Sequence, residues 1–431
     1  MQGRIAFISE HASPLSEPGG VDCGGQNVYI DHLACHLGRL GYYVDIFTRW
    51  DDPAKKRIVK YRPRVRIIHV RAGERKHIPK ENLLQHMDEF CEDMVGFIKN
   101  SHFGYQVVHA HFWMSGYVAA CIRRMLGIPF VITFHALGKI RRLYQGAADG
   151  FPDARFAVEE MIVRTADRIV AECPQDKEDL MIHYYAQEEK IRMIPCGFDS
   201  AEFYPMDKGK CAEKLGFTPE ERVILQLGRM VPRKGVDNVI RATARFLRKR
   251  DMPVRLVIVG GESETACPIA TPEIARLRAI AEEEGIHDRV VFAGRKRREE
   301  LRHYYNAADL FVSTPWYEPF GITPLEAMAC GIPVIGANVG GIKYSVEHDK
   351  TGFLVPVNDP EILAERMWEI LCNPPLQRSF KARAIQRANQ LFTWESVARE
   401  MSALYQEMTA DKVVALPLRQ FERDGQYQHM N

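Results

Sequence analysis

The chain lacks several patterns that would settle its class at once. It has ten cysteines but no two at the Cys-x-x-Cys spacing of metal fingers and redox pairs. Scattered thiols in a chain long enough to bury its own cores call for neither zinc nor disulfide staples, and a reducing cytoplasm is the expected compartment. Charge of one sign is also missing, since 58 Lys and Arg stand against 56 Asp and Glu. A net charge of +2 lacks the basic excess of a nucleic-acid binder. No apolar run approaches the roughly 18 residues of a membrane span, and the run beginning at Ile5 is too short for a signal-peptide core, so no membrane segment is expected. Asp-x-Asp, a common carboxylate pair for holding a metal on a diphosphate, occurs nowhere. Any diphosphate would then have to be met by protein cations, and no metal or cofactor is expected.

What is present is an ordinary globular composition, 46% hydrophobic and 26% charged, over 431 residues. That length exceeds the roughly 250–300 residues at which single cores stop growing, so two domains are expected. Short apolar, β-branched runs alternate with helical patterns throughout, the signature of parallel α/β sheets. They lie at 4–9, 43–48, 65–70, 105–111, 129–135, 167–172 and 191–195, then at 223–228, 255–261, 290–294, 310–314, 333–337 and 353–356. The Pro- and Gly-containing stretch between the two sets divides the chain into domains 1–205 and 206–390. In the helix expected over 391–408, Trp394, Val397, Met401, Leu404 and Met408 share one face, and 409–431 reads as a tail.

Ligands of open parallel sheets sit beyond the carboxyl ends of strands, so chemistry is sought there. After the first strand come Gly19-Gly20 and Gly24-Gly25, then a helical pattern from about Gln26. The amides of Gly24 and Gly25 could reach a diphosphate at the helix start. A flexible turn is the plainer alternative, and the missing GxGxxG spacing argues against a nicotinamide oxidoreductase. In LGRMVPRKG, Arg229 and Lys234 follow a strand and could neutralise a diphosphate, or simply form a solvated basic turn. His109 and His111 point to one side of a strand but find no third metal ligand at a recognisable spacing. His135, at a later strand end, is better placed to line a cleft. Lys139, Arg141, Arg142 and Arg155 suggest a second anionic group, although Arg155 and Glu159 are equally i,i+4 partners on a helix surface. In STPWYEPFGITPLEAMACG, Glu318 and Glu326 invite comparison with the paired carboxylates of a glycoside hydrolase. Thr323 to Glu326 is also a capping-box pattern with Pro324 at the first helical position. Glu318, in a Pro-flanked turn before Gly321, has no such structural excuse.

GGVDCGGQNVYI, HAHFWMSG, TFHALGK, LGRMVPRKG and EPFGITPLE together resemble the retaining GT-B glycosyltransferases of the family that includes sucrose synthase, sucrose-phosphate synthase and the inositol-phosphate N-acetylglucosaminyltransferase of mycothiol synthesis. The resemblance spans residues 3 to 408. It implies an α/β GT-B architecture, two Rossmann-like doubly wound parallel-sheet domains facing across a cleft, with the 391–408 helix crossing back to the first. By the resemblance, His135, Arg229, Lys234 and Glu318 carry the catalysis. Gly24, Gly25, Gln26, Arg229, Lys234, Arg295, Glu318, Phe320, Gly321 and Ile322 hold the nucleotide sugar, and Glu326 clasps its ribose. Gln26, Trp113, His135, Lys139, Arg142 and Arg155 take the acceptor. The reaction it implies is metal-independent hexose transfer from UDP-glucose to fructose 6-phosphate, giving sucrose 6-phosphate and UDP, as in a single-unit sucrose-phosphate synthase. The runners-up are a cell-envelope or exopolysaccharide transferase and the inositol-phosphate N-acetylglucosaminyltransferase. Phe156 after Arg155 departs from the sucrose-phosphate pattern, which often carries a further Arg there. A hydrolase would have no use for phosphate-binding corners, an epimerase would need no acceptor pocket, and a nucleotide-sugar sensor would bind without transfer.

Overall fold

The computed structural model describes residues 3–16, 24–249 and 252–414. The first sheet has eight strands: β1 (Arg4–Ile8), β2 (Tyr43–Arg49), β3 (Ile58–Arg62), β4 (Val65–Val70), β5 (Val107–His111), β6 (Phe130–Thr133), β7 (Arg168–Ala171) and β8 (Ile191–Met193). Their order is β3-β4-β2-β1-β5-β6-β7-β8, parallel except for β3. The second sheet has six: β9 (Arg222–Leu227), β10 (Val254–Val259), β11 (Val290–Gly294), β12 (Leu310–Ser313), β13 (Val334–Ala337) and β14 (Gly352–Val355), in the order β11-β10-β9-β12-β13-β14. All of its pairings are parallel. Central strands such as β5 and β12 are buried along their whole length because helices cover both faces, leaving no solvated side.

Each sheet reverses its winding once, between β1 and β5 in the first and between β9 and β12 in the second. The loops leaving those four strands diverge, and the gap between them is where a ligand fits. The Gly-rich segment follows β1, His111 ends β5, Arg229 to Gly235 follow β9, and Thr314 to Gly321 follow β12.

β3 has no counterpart among the strand runs read from the sequence. IVKYR alternates exposed and half-buried positions, with Ile58 still 43% exposed. Its Lys and Arg suit an unpaired sheet edge and hide the apolar signal.

The helix Trp394–Val414 begins beside the second domain and packs on the helix Gly25–Arg39 of the first. Thr393 caps it, its Oγ1 accepting from the Ser396 amide at 3.2 Å. Trp394, Val397, Met401, Leu404 and Met408 are all buried. Trp394 stacks on His32 at 5.6 Å with an interplanar angle of 4°, and Tyr405 Oη lies 2.7 Å from His109 Nδ1. Phe198, in the segment between β8 and β9, pairs with this junction, its amide donating to Phe392 O at 2.8 Å. The helix continues to Val414, past the expected end at 408, and 415–431 lie outside the described residues.

Candidate active site

Four backbone devices place the site. The 3-10 turn Pro232–Lys234 ends at Gly235, whose φ is +64° and where a Cβ would lie 2.1 Å from Thr314 O. Only glycine lets this turn pack against the strand end of β12 and so fix Lys234. A Cβ on Gly340, φ +46°, would lie 1.8 Å from Glu318 O, so a second glycine lets the loop after β13 brace the turn that carries Glu318. On the other side of the gap, Phe112 and His135 leave β5 and β6 at φ +82° and +58°. Such conformations in bulky residues cost energy and cluster where function demands them.

Between these loops lies a cleft of about 390 Å³. One wall, from the first domain, includes Gly24, Gly25, Gln26, Lys80, Phe112, His135, Arg141 and Glu172. The other includes Arg229, Arg233, Lys234, Arg295, Arg298, Glu318, Phe320, Gly321, Ile322 and Glu326. The walls approach closely, since a Cβ on Gly24 would lie 3.8 Å from Arg229 Nε and one on Gly25 3.7 Å from Ile322 Cδ1. A phosphate there would meet the start of the helix Gly25–Arg39 on one side and guanidinium and ammonium groups on the other.

The two carboxylates of the opening motif have different partners. Glu318 Oε2 accepts from Lys234 Nζ, with the two side chains 13% and 19% exposed. Burial pushes Lys234 down to about 8, against the pull of Glu318 and with the push of Arg233 and Arg229. Burial likewise pushes Glu318 up, but Lys234, Arg233 and Arg229 outweigh it and hold its carboxyl below the usual range. Glu326 is raised, because burial exceeds the help of Arg298 Nη1 at 3.0 Å and of the Tyr305 hydroxyl, which donates at 2.8 Å. The helix here is Ile322–Ala329, entered through Gly321. Pro324 is therefore not its first residue, and the Glu326 side chain faces Arg298 and Tyr305 instead of capping, which corrects the capping-box reading.

The family models agree with this geometry. The description "Glycosyl transferases group 1" matches residues 207–387, and "Glycosyltransferase Family 4" matches 23–202. The D-inositol 3-phosphate glycosyltransferase of Corynebacterium glutamicum is 33% identical over 95% of this chain and 98% of its own. This chain belongs to the group 1 glycosyltransferases. The enzyme of the same description from Acidothermus cellulolyticus is 34% identical over 98% of this chain and 94% of its own. Among solved structures, the sucrose-phosphate synthase of Thermosynechococcus elongatus superimposes with a TM-score of 0.86 at 32% identity, covering 95% of this chain and 99% of that one. Anabaena HepE, solved with UDP and glucose, gives 0.74 at 20% identity over 94% and 99%, a likeness of fold. The GT-B architecture expected from the sequence is the one observed.

Within this glycosyltransferase, His135, Gly24, Gly25, Gln26, Arg229, Lys234, Arg295, Glu318, Phe320, Gly321, Ile322 and Glu326 share the cleft. Trp113, Lys139, Arg142 and Arg155 do not line it. Trp113 is buried, because its helix packs that face inward. Lys139 Nζ is spent on Glu160 and His183 O, both at 2.7 Å. Arg142 pairs with Asp153 at 2.9 Å and Phe151 O at 3.1 Å. Arg155, 0% exposed, sits 2.7 Å from the equally buried Glu159, with its guanidinium 4.7 Å from the Phe151 ring centroid and 5.0 Å from that of Phe112. Glu159 in turn accepts from the Gly138 amide and the Tyr184 hydroxyl. The pair is an internal strut for the loop after β6, neither a surface i,i+4 pair nor a group open to the cleft.

Other cleft residues escaped the sequence reading: Lys80, on the 3-10 turn Lys80–Asn82, Glu172, Arg233 and Arg298. Arg141, named with the cation cluster, lines the cleft, held at 2.6 Å by the buried Asp149. His109 and His111, which share one side of β5, are hydrogen-bonded within the core, His109 Nε2 to Thr133 at 2.9 Å and His111 Nδ1 to His135 Nε2 at 3.1 Å. A different trio, His32, Asp199 and Glu202, has ligand atoms within 4.8 Å of one another. It lies in a hollow outside the cleft, and Glu202 there is already bound by Arg298. No helix among the described residues is long and apolar enough to cross a membrane.

Proposed function

We propose that the enzyme moves a hexose from UDP-glucose, with retention at the anomeric carbon and without a metal ion, to a phosphorylated small-molecule acceptor in the cytoplasm. One observation carries this reading: the cleft has cations on both walls, Arg229, Arg233 and Lys234 on one and Lys80 with Arg141 on the other. The first group suits the diphosphate of the donor and the second the phosphate of an acceptor. The relatives lend support, since one is described as acting on D-inositol 3-phosphate and the other as a sucrose-phosphate synthase. Fructose 6-phosphate and D-inositol 3-phosphate are therefore the two acceptors of first choice.

As the bond from sugar to diphosphate breaks, Arg229 and Lys234 stabilise the departing charge, which in a dehydrated cleft counts for more than in water. Glu318 and the adjoining amides hold sugar hydroxyls, and Glu326, kept in place by Arg298, takes the ribose. The acceptor hydroxyl attacks from the face that the diphosphate leaves and passes its proton to the leaving phosphate.

The test is UDP release from UDP-glucose with fructose 6-phosphate, D-inositol 3-phosphate, fructose, inositol or no acceptor. A phosphorylated acceptor is expected to be used at least tenfold better than its phosphate-free form. Lys80→Ala and Arg141→Ala should each raise the acceptor KM about 10- to 100-fold, the equivalent of about 1.5–3 kcal/mol for a charge-assisted hydrogen bond, while leaving donor KM in place. Equal use of the phosphate-free compounds would sink the acceptor class.

A further inference from the structure

Glu172 has no part in the reading above, yet it stands in the cleft. It follows β7 directly, is 3% exposed and lines the cavity. Its Oε1 accepts from the Cys196 thiol at 2.9 Å and lies 3.3 Å from His135 Nδ1. Its own amide donates to Asp176 Oδ2 at 3.0 Å. Among the described residues no hydrogen bond reaches Oε2. The carboxyl is thus anchored through one oxygen, with the other left over.

Its position is tied to the donor side of the cleft. The next residue, Cys173, spans the gap, with Sγ 3.5 Å from Pro319 O, beside Glu318. Burial raises the Cys196 thiol, and the charges of Glu172 and Glu318 raise it further. Two carboxylates, one from each domain, therefore flank the same point.

The hydrogen bonds also fix the state of His135. With Glu172 ionised, His135 carries its proton on Nδ1, and Nε2 is left to accept from His111 Nδ1. The buried Nε2 of His111, without a partner among the described residues, ends the chain as a bare acceptor. Tyr29 closes the ring from the side at 4.9 Å. Both ring nitrogens of His135 are engaged inside the first domain, so its ring is a positioned wall and not a base awaiting a proton.

We propose that Glu172 is a functional carboxylate of the transfer, which locks His135 in its Nδ1–H form and places negative charge on the cleft wall beside the sugar. Cleavage of the bond to the diphosphate leaves the sugar ring with positive, oxocarbenium-like character, and a fixed carboxylate nearby stabilises that state more than the ground state. No bond forms to Glu172: the electron pair leaves with the phosphate oxygen, the acceptor oxygen makes the new bond, and its proton goes to the departing phosphate. The inference rests on the retaining transfer proposed above.

The experiment is Glu172→Gln in the full chain, isosteric but uncharged, read in two ways. Steady-state kinetics should show kcat lowered at least tenfold, with donor KM and UDP affinity within threefold of wild type and an unchanged Tm. A risen KM with kcat kept would make Glu172 a ground-state contact, and unchanged kinetics would make it merely structural; either overturns the proposal. The second reading needs no turnover. In ¹⁵N-histidine spectra, with His135 assigned by a His135→Gln variant, the wild type should hold the Nδ1–H tautomer and Glu172→Gln should release it. An Nε2–H tautomer in the wild type removes the positioning role. Should no acceptor support transfer by the wild type, the proposed function fails while the tautomer still decides the link between Glu172 and His135.

Discussion

A lysine that burial lowers to about 8, where the donor diphosphate is proposed to bind, makes donor binding a measurable function of pH. Burial lowers Lys234 to about 8 in the ligand-free cleft, and Arg233 and Arg229 oppose what Glu318 gives back. A diphosphate adds negative charge beside the ammonium, so the bound enzyme holds this proton more tightly than the free one. The sign follows from linkage: where the free lysine has lost its proton, binding must take one up, and affinity falls as pH rises through 8. With a pKa of about 8, the protonated fraction is about 0.9 at pH 7 and about 0.1 at pH 9. UDP affinity should therefore weaken about tenfold over that interval, or about 1.4 kcal/mol. The terminal phosphate, with its second pKa near 6, is charged throughout.

Calorimetry in two buffers of different ionisation enthalpy reads the effect directly, and about 0.9 proton should be taken up per UDP at pH 9. Lys234→Arg, which stays protonated, separates the lysine from any titration of the nucleotide itself and should show neither proton uptake nor the tenfold slope. Lys234→Ala should lose roughly 10²-fold in kcat, the loss associated with one preorganised charge-stabilising donor. A wild-type affinity that is flat from pH 7 to 9, without proton uptake, would refute the burial of Lys234 against its two arginines as the source of the effect.

Two further outcomes follow from ion pairs that the cleft borrows or excludes. Arg155→Ala leaves Glu159 buried without its partner and should cost about 3–5 kcal/mol in urea unfolding, with little specific change in acceptor KM; a stable variant with a raised acceptor KM would return Arg155 to the acceptor site. Arg298→Ala deprives Glu326 of the cation 3.0 Å away. Burial then raises that carboxyl further, so donor KM should rise about 10-fold or more, and more at pH 6 than at pH 8, whereas a pH-independent or unchanged KM would show that Glu326 does not meet the donor as a carboxylate.

How much of this was legible in the sequence depends on how far apart the partners stand in the chain. Strands such as VVHAH and LFVS announce themselves because their burial on both faces is written into consecutive residues. The strand ends, and hence the Gly24-Gly25 turn, the cations Arg229 and Lys234 and the carboxylates Glu318 and Glu326, are equally local. β3 was not legible, since an exposed edge gives no such run. Arg155 and Glu159 were visible as a pair, but that the pair is buried depends on Phe112 and Phe151, and spacing does not reveal that. The resemblance made Trp113, Lys139 and Arg142 acceptor contacts, but Lys139 and Arg142 turn to partners that no local pattern marks, and Trp113 is buried in the core.

The same distinction explains the two glutamates of STPWYEPFGITPLEAMACG. Both lie in one motif and both line one cleft, yet the environment pushes them in opposite directions. Glu318 faces the loop after β9, where three cations outweigh burial and keep it ionised. Glu326 faces a single arginine, itself shared with Glu202 of the segment between β8 and β9, and burial prevails. A carboxylate held below its usual range by Lys234, Arg233 and Arg229, and one raised by burial beside a tyrosine hydroxyl, are suited to different tasks. The first can hold Lys234 until a phosphate takes it; the second can accept from ribose hydroxyls at small electrostatic cost. Arg298 holds Glu202 and Glu326 at once, so the state of that second carboxylate depends on a cation it does not have to itself.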